Sequence, residues 1–96
     1  MPTLHIEHAV HDFDTWKAAF DRDPARRAES GVRRYEIHRP ADDQHYVLVD
    51  LDFDTTQQAE AFLQTMRGVW RSAHAAPALK GEVRTRVLET VEVTEL

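Results

Sequence analysis

Two pairs of a histidine and a glutamate could move protons in this chain of 96 residues. His5 and Glu7 lie two positions apart, as do Glu36 and His38, and a β-strand places residues at that spacing on the same face. In a closed pocket, either pair could act as a base with its orienting carboxylate. On an exposed strand edge the same pattern is an alternation of polar residues, and surface statistics favour that interpretation.

Asp50 is a carboxylate inside an otherwise apolar run, VLVDL at residues 47–51. A buried carboxylate must be paired, hydrogen-bonded or protonated, because an unpaired charge in an apolar environment is too costly. Asp50 is therefore either a functional acid–base group or an acid near the strand end that pairs with Arg84 or Arg86. The sequence leaves these two interpretations open.

Three histidines near the amino terminus, His5, His8 and His11, invite a metal-binding interpretation because imidazole is a common ligand. A spacing of three puts His8 on the strand face opposite His5, and His11 lies near the turn that follows. The three rings cannot converge on one ion without ligands from another strand or a second chain. We therefore expect solvated or packed histidines and no metal site.

The composition excludes several classes of protein. The chain has 17 acidic and 12 basic side chains and a formal charge of −5, which does not suit a nucleic-acid-binding protein. It has no cysteine, which excludes disulfide, thiolate-metal and cysteine-nucleophile chemistry. It also lacks phosphate-loop, dinucleotide and nucleophile-elbow motifs, so we expect no bound cofactor. With no long apolar run and no cationic leader, a cytoplasmic location without a membrane partner is expected.

The tetrapeptide Asp-Phe-Asp-Thr occurs twice, at residues 12–15 and 52–55, which indicates an internal duplication. Each copy follows an extended stretch that opens with a histidine, and each precedes apolar residues at helical spacing. Two strand–helix–strand halves predict a ferredoxin-like α+β fold of order βαββαβ, with two helices on one face of a four-stranded antiparallel sheet. The strands are predicted at residues 3–10, 32–39, 45–53 and about 82–93.

Short polar side chains mark the start of both predicted helices. Asp12 or Asp14 can cap the first helix, and Asp54 or Thr55 can cap the second. A glutamine three residues beyond the second cap resembles a capping box.

The predicted third strand, residues 45–53, has apolar residues on both faces. Such strands are buried on both sides, but two helices can cover only one face of a sheet. A single copy would leave a bare apolar face, so we expect residues 1–96 to form one domain that pairs with a second copy as a homodimeric α/β barrel.

The sequence leaves open which side chains point into the barrel. The first strand is apolar at even positions and the third mostly at odd ones, whereas the repeat offset of 40 is even.

Several short patterns resemble small proteins of the dimeric α/β-barrel superfamily. They are Val10-x-Asp12-Phe13-Asp14-x-Trp16-Lys17-x-x-Phe20, then Gly31-Val32, then Phe53-Asp54 before a helix rich in Ala and Phe. The superfamily includes antibiotic-biosynthesis monooxygenases, muconolactone-isomerase-like enzymes and haem-degrading enzymes. The resemblance covers nearly the whole chain in layout, and its motifs are structural rather than catalytic.

The resemblance implies a pocket that binds a small aromatic or polyketide-like molecule, in an enzyme of the monooxygenase, cyclase or isomerase type. Cofactor-independent oxygenases of the superfamily activate oxygen with the substrate's own carbanion, so they need only a base and a closed apolar pocket. Asp50 or His38 would then be the base. The expected site comprises the catalytic Asp50, His38 and His74 and the ligand-binding Tyr35, Tyr46, Trp70 and His5.

Two alternatives accompany this hypothesis. One is a stable dimer that binds a metabolite or partner and catalyses nothing. The other is haem binding, because Trp70 and His74 resemble a Trp and a haem-ligating His of the haem-degrading relatives. Those relatives also use an Asn on the first strand, and this chain has no Asn. The Trp70 side chain would equally continue the apolar stripe of the second helix.

Overall fold

The order of elements along the chain is βαββαβ, as predicted. The computed structural model describes residues 1–72 and 79–96. In this part of the chain the four strands form one antiparallel sheet in the order β2-β3-β1-β4, with two helices against one face. The elements are β1 (Thr3–Ala9), α1 (Phe13–Asp21), β2 (Arg34–His38), β3 (Tyr46–Asp52), α2 (Thr56–Trp70) and β4 (Lys80–Leu88).

The register between the two central strands settles which positions share a face. Leu4 of β1 lies opposite Leu51 of β3, and Ile6 lies opposite Val49. Even positions of β1 and odd positions of β3 therefore point to the same side. The apparent conflict between the two strands disappears because antiparallel pairing, not the sequence offset, decides which side chains are neighbours.

The two copies of the tetrapeptide occupy different places in the fold. Asp12 is the N-cap of α1, whereas Asp52 is the last residue of β3 and Thr55 is the N-cap of α2. The equivalent positions of the two halves are thus 43 residues apart, from Asp12 to Thr55. An odd offset is what the register requires, so the two halves match as structural units although the repeated tetrapeptides do not superpose.

Both helices begin with side-chain caps. The carboxylate of Asp12 accepts a hydrogen bond from the backbone N–H of Thr15 at 2.9 Å. Thr55 and Gln58 form a reciprocal capping box, in which each side chain bonds the backbone N–H of the other residue. Each cap satisfies a backbone donor that the helix itself cannot, and such a cap contributes about 1 kcal/mol.

The hydrophobic core lies between the helices and one face of the sheet. Phe53 is fully buried and packs against Phe62 of α2 with 5.5 Å between ring centroids. Each large side chain buried in this way contributes about 1.5–3 kcal/mol. The other fully buried side chains are Leu4, Val10, Val47, Val49 and Leu51.

The last strand is shorter than predicted. It ends at Leu88 rather than near Val93, and the side chains of Val91 and Val93 are 96% and 82% exposed. Leu88 pairs with Thr3, the first residue of β1, and the residue next to Thr3 is Pro2. Proline has no backbone N–H to donate, and the ladder therefore stops there. Among the described residues, no helix is long and apolar enough to cross a membrane.

Candidate functional site

The predicted site residues do not form one cluster, because they lie on opposite faces of the sheet. One face is covered by the helices, and the other, here called the open face, is not. Strand alternation places His5, Asp50, Tyr46 and His38 on the open face. Tyr35 and Trp70 pack on the covered side. His74 lies outside the described residues.

A hydrogen-bonded network on the open face joins three of the predicted residues. His5 Nδ1 lies 2.6 Å from a carboxylate oxygen of Asp50, and His5 Nε2 lies 2.9 Å from Glu7. The hydroxyl of Tyr46 donates to the other oxygen of Glu7 at 2.9 Å. Asp50 is thus hydrogen-bonded, as its position demands, but its partner is His5 and not an arginine of the last strand.

The network favours the protonated form of His5, because both ring nitrogens lie beside carboxylate oxygens, which accept hydrogen bonds. Partial burial by itself lowers the pKa of the ring, but hydrogen bonds to Glu7 and Asp50 outweigh it and raise the pKa above the ordinary 6.5. The same contacts, first with His5 and then with Tyr46, lower the pKa of Glu7. Burial and the bond to Glu7 raise the pKa of Tyr46. A protonated imidazole between two carboxylates is a poor base, so this cluster is better suited to ion pairing than to proton abstraction.

The remaining charges of the open face are mostly paired with one another. Arg34 contacts Glu36 and lies 3.4 Å from Asp52, while His38 lies 3.7 Å from Glu36 at the exposed edge. Arg84 and Arg86 of β4 lie across from Glu7 and His5 in the strand register. The expected bare apolar face is therefore wrong for the isolated chain, because Val83 and Val87 of β4 pack against the core and the open face is largely charged.

Residues near the carboxyl terminus pass over one end of the open face. The hydroxyl of Thr90 donates to the backbone oxygen of Met1 at 2.7 Å. A hollow of about 430 Å³ separates Thr90 and Val93 from the charged side chains of β2 and β3. It is lined by groups that already pair with each other, so it offers a small molecule few free partners.

A second cavity lies between the helices and the covered face, and it is apolar. Its volume is about 70 Å³, and four aromatic side chains line it: Trp16, Phe20, Phe62 and Trp70. Trp16 and Trp70 are the two tryptophans of the chain. The cavity is smaller than the roughly 150 Å³ that accommodates benzene. A ring compound therefore enters only if wall side chains shift, and the flexible thioether of Met66 is one that can.

His8 is the ionisable group of β1 that faces this cavity. It is 2% exposed, and its ring meets the edge of Trp16 with 6.0 Å between centroids. Nδ1 lies 2.9 Å from the backbone oxygen of Ala9, so Nδ1 carries the proton and donates. Burial lowers the pKa of His8 below the ordinary 6.5. Among the described residues, nothing bonds to Nε2, which is left as a neutral acceptor at the cavity wall.

The sequence interpretation missed His8 as a site residue, although the signal was present. His8 continues the even-numbered stripe of Leu4 and Ile6, and all three are buried. Because a strand stripe of that kind faces the core, a histidine in it is either a packed side chain or a group that lines a cavity. Here it is both.

Of the predicted ligand-binding residues, Trp70 lines the cavity and Tyr35 lies just outside it. Tyr35 is 42% exposed on the edge strand β2, and its ring meets Phe20 edge-on at 5.2 Å. Within residues 1–72 and 79–96, no group of three His, Asp or Glu side chains is arranged to hold a metal ion.

Comparisons with known proteins show the fold. No protein-family profile matches the sequence, and no curated protein matches it. The structure is similar to SnoaB, a cofactor-independent oxygenase from Streptomyces nogalater, with a TM-score of 0.76 and 13% identity over 96% of this chain and 94% of that one. It is also similar to an antibiotic biosynthesis monooxygenase, with a TM-score of 0.65 and 6% identity over 96% of this chain and 100% of that one.

A third similar structure is a dimeric ferredoxin-like protein from an uncultured marine organism. Its TM-score is 0.65 and its identity is 8%, and the match covers 100% of both chains. The chain therefore has the ferredoxin-like α+β fold found in antibiotic-biosynthesis-monooxygenase-like proteins, as the sequence resemblance implied.

Proposed function

We propose that this protein binds a small aromatic molecule in the covered cavity and oxygenates it without a cofactor, with His8 as the base. The observation that carries the proposal is the buried, neutral imidazole that lines an aromatic cavity and whose Nε2 has no hydrogen-bond partner among the described residues. The cofactor-independent activity stated for SnoaB, which shares the fold, supports the choice of reaction. The bases expected from the sequence, Asp50 and His38, lie on the open face and remain the competing assignment.

The proposed reaction needs one base and molecular oxygen. Nε2 of His8 removes a proton from an acidic CH2 group bonded to an electron-rich aromatic ring, and the resulting carbanion transfers electrons to O2. A carbon–oxygen bond forms, and the proton held by His8 returns to the peroxide. Loss of water from the hydroperoxide then leaves a carbonyl, so one oxygen atom enters the product and the other leaves as water. The apolar walls keep bulk water away from the carbanion.

Ligand binding is tested with phenol as the probe. Because both tryptophans line the cavity, a bound ring changes their fluorescence. We expect a saturable change that is weakened by Ala19→Leu, which adds bulk at the cavity wall, and unaffected by Gln64→Ala on the exposed side of α2. If phenol leaves the fluorescence unchanged and a crystal soaked in phenol shows an empty cavity, the proposal is overturned.

Turnover is tested with 2-indanone, which has a single aromatic ring and an acidic methylene group that would become a carbonyl. We expect His8→Gln to lose about 10²–10⁴-fold of the acceleration over buffer, the usual contribution of a general base. His11→Gln, an exposed histidine three residues away, is the matched control and should retain it. If Asp50→Asn loses the rate acceleration and His8→Gln retains it, the base is Asp50 on the open face and not His8. Binding without turnover would establish the non-catalytic alternative.

We also propose that two copies associate through their open faces. Dimeric proteins with this fold support the proposal, and so does the charge pattern. Arg84 and Arg86 lie on β4 at one edge, and β2 at the other edge carries Arg34, Glu36 and His38. Both edges therefore offer charged groups, and a two-fold arrangement can bring unlike charges of the two copies together.

The association is tested by light scattering after size-exclusion chromatography. We expect about twice the chain mass of 11.1 kDa, and Leu48→Asp on the open face should yield the single-chain mass. Gln64→Asp, on the outer side of α2, should leave the assembly intact. A wild-type protein that elutes at the single-chain mass at high concentration contradicts the dimer.

A further inference from the structure

Arg27 places a permanent positive charge at the wall of the covered cavity. It belongs to the segment between α1 and β2, and only 14% of its side chain is exposed. His8 and Arg27 are the ionisable side chains among the described residues that line the cavity, and no carboxylate lines it there. The cavity wall is therefore apolar and cationic at once.

The guanidinium is held in place from several sides. Its central carbon lies 3.9 Å above the ring of Phe20 and 5.1 Å from the ring of Tyr35. Nη1 donates to the backbone oxygen of Phe20 at 2.8 Å and lies 3.5 Å from the Asp23 carboxylate. These contacts leave Nε and Nη2 without an acceptor among the described residues.

The backbone around Arg27 adopts unfavourable conformations. Asp23 and Arg26 have φ angles of +52° and +50°, a region that non-glycine residues seldom occupy. Asp23 also accepts a hydrogen bond from the Arg27 backbone N–H at 2.8 Å. Such strain persists only where surrounding contacts enforce it, and it is common beside binding sites.

We infer that Arg27 makes the cavity selective for small aromatic anions, such as an aromatic carboxylate. Its free N–H groups can donate to a carboxylate, and hydrogen bonds between charged partners are roughly twice as strong as neutral ones. Asp23, outside the described lining, offsets part of the charge through Nη1, but the unpaired N–H groups of Nε and Nη2 still favour an anionic acceptor over its neutral analogue. The inference rests on the proposed ligand binding and adds the charge of the ligand to it.

The test compares benzoate with benzamide, which has almost the same shape and no charge. Tryptophan fluorescence is measured at pH 7 and low salt for the wild-type protein, Arg27→Met and Arg27→Lys. We expect benzoate to bind about tenfold more tightly than benzamide to the wild-type protein. In Arg27→Met the preference should disappear because benzoate loses about tenfold more affinity than benzamide, and Arg27→Lys should retain part of the preference.

A purely structural role for Arg27 gives a different result, because Arg27→Met would then weaken both ligands equally. Equal affinities in the wild-type protein, or a preference that survives in Arg27→Met, overturns the inference while phenol and benzamide binding still supports the cavity. If Arg27→Met does not fold, salt supplies the second measurement. A benzoate preference that does not fall with added salt then contradicts the inference. If phenol, benzamide and benzoate all fail to bind, the proposed function fails together with the inference about Arg27.

Discussion

His5 and His8 lie three residues apart on one strand, and the two faces of the sheet give them opposite chemistry. His5 sits between two carboxylates on the open face, which raise its pKa. His8 is buried beside Trp16, and burial lowers its pKa. The residue type is the same, so the environment alone decides whether the ring is held as a cation or kept as a neutral base.

The same contrast extends to the packing of the whole sheet. The covered face is stabilised by buried apolar side chains, whereas the open face is joined by hydrogen bonds and ion pairs that solvent partly screens. We therefore expect substitutions on the covered face to cost stability and those on the open face to change charge and association. The following predictions test this difference, in order of expected size.

The largest expected difference in the free energy of unfolding is between substitutions of two leucines of β3. Leu51 is 1% exposed on the covered face, while Leu48 is half-buried on the open face. Leu51→Ala should lower the free energy of unfolding by about 2–5 kcal/mol because it leaves a cavity in the core. Leu48→Ala should cost about 1 kcal/mol or less in the single chain, since it loses less buried area.

Urea unfolding of both variants measures the difference. Repeating it at several protein concentrations separates packing within one chain from packing between copies, because only the latter depends on concentration. If Leu51→Ala and Leu48→Ala lower the free energy of unfolding equally, the covered face does not contribute more to stability than the open face.

The next largest effect is on the pH dependence of stability, to which His8 and His5 should contribute in opposite directions. The folded-state pKa of His8 lies below 6.5, so its contribution to stability is present above that pH and lost as the pH falls through the folded-state pKa. The folded-state pKa of His5 lies above 6.5, so its contribution is present below that pH and lost as the pH rises through the folded-state pKa.

Measuring the urea midpoint between about pH 5 and pH 8 tests both signs. His8→Phe should remove the loss on the acid side, and His5→Gln should remove the loss on the alkaline side. His11→Gln, which alters an exposed ring, is the control and should change neither. Slopes of the same sign for His5 and His8 would refute the assigned environments.

The smallest effect on stability should follow from breaking one bond of the open-face network. Asp50→Asn removes the charge that faces His5 Nδ1 at 2.6 Å, so the pKa of His5 should fall. The free energy of unfolding should change by no more than about 1 kcal/mol, because the pair is partly exposed.

NMR titration of the histidine Cε1 protons follows this change directly. The resonance of His8, which lies on the other face, should titrate as in the wild-type protein. A His5 pKa that stays the same in Asp50→Asn would show that Glu7 alone holds the proton.

The element order and the helix starts could be predicted because they depend on local signals. Asp12 and Thr55 precede helical patterns and do cap the helices. The end of β4 could not be predicted, because residues 89–93 alternate like a strand and the ladder stops where Pro2, next to Thr3, has no backbone N–H to donate. Local propensity cannot report where a neighbouring strand runs out.

The candidate site depended still more on tertiary structure. His5, Asp50 and Tyr46 were selected as chemical groups and do lie together. The pairing of His5 with Glu7 follows from their spacing, but only the strand register could show that Asp50 contacts the same imidazole. Arg27 carried no signal at all, since it lies in an irregular polar segment and reaches the cavity only through contacts with Phe20 and Asp23.

The sequence by itself determined the fold class, because apolar periodicity and helix caps are local properties that the chain carries in any state. The tertiary structure decided which side of the sheet each group occupies, and therefore the charge of each histidine. That decision rests on the pairing of β1 with β3, where a shift of one residue would exchange the faces of His5 and His8. Burial and ion pairing act only after the register is set, so the chemistry of this strand belongs to the assembled sheet.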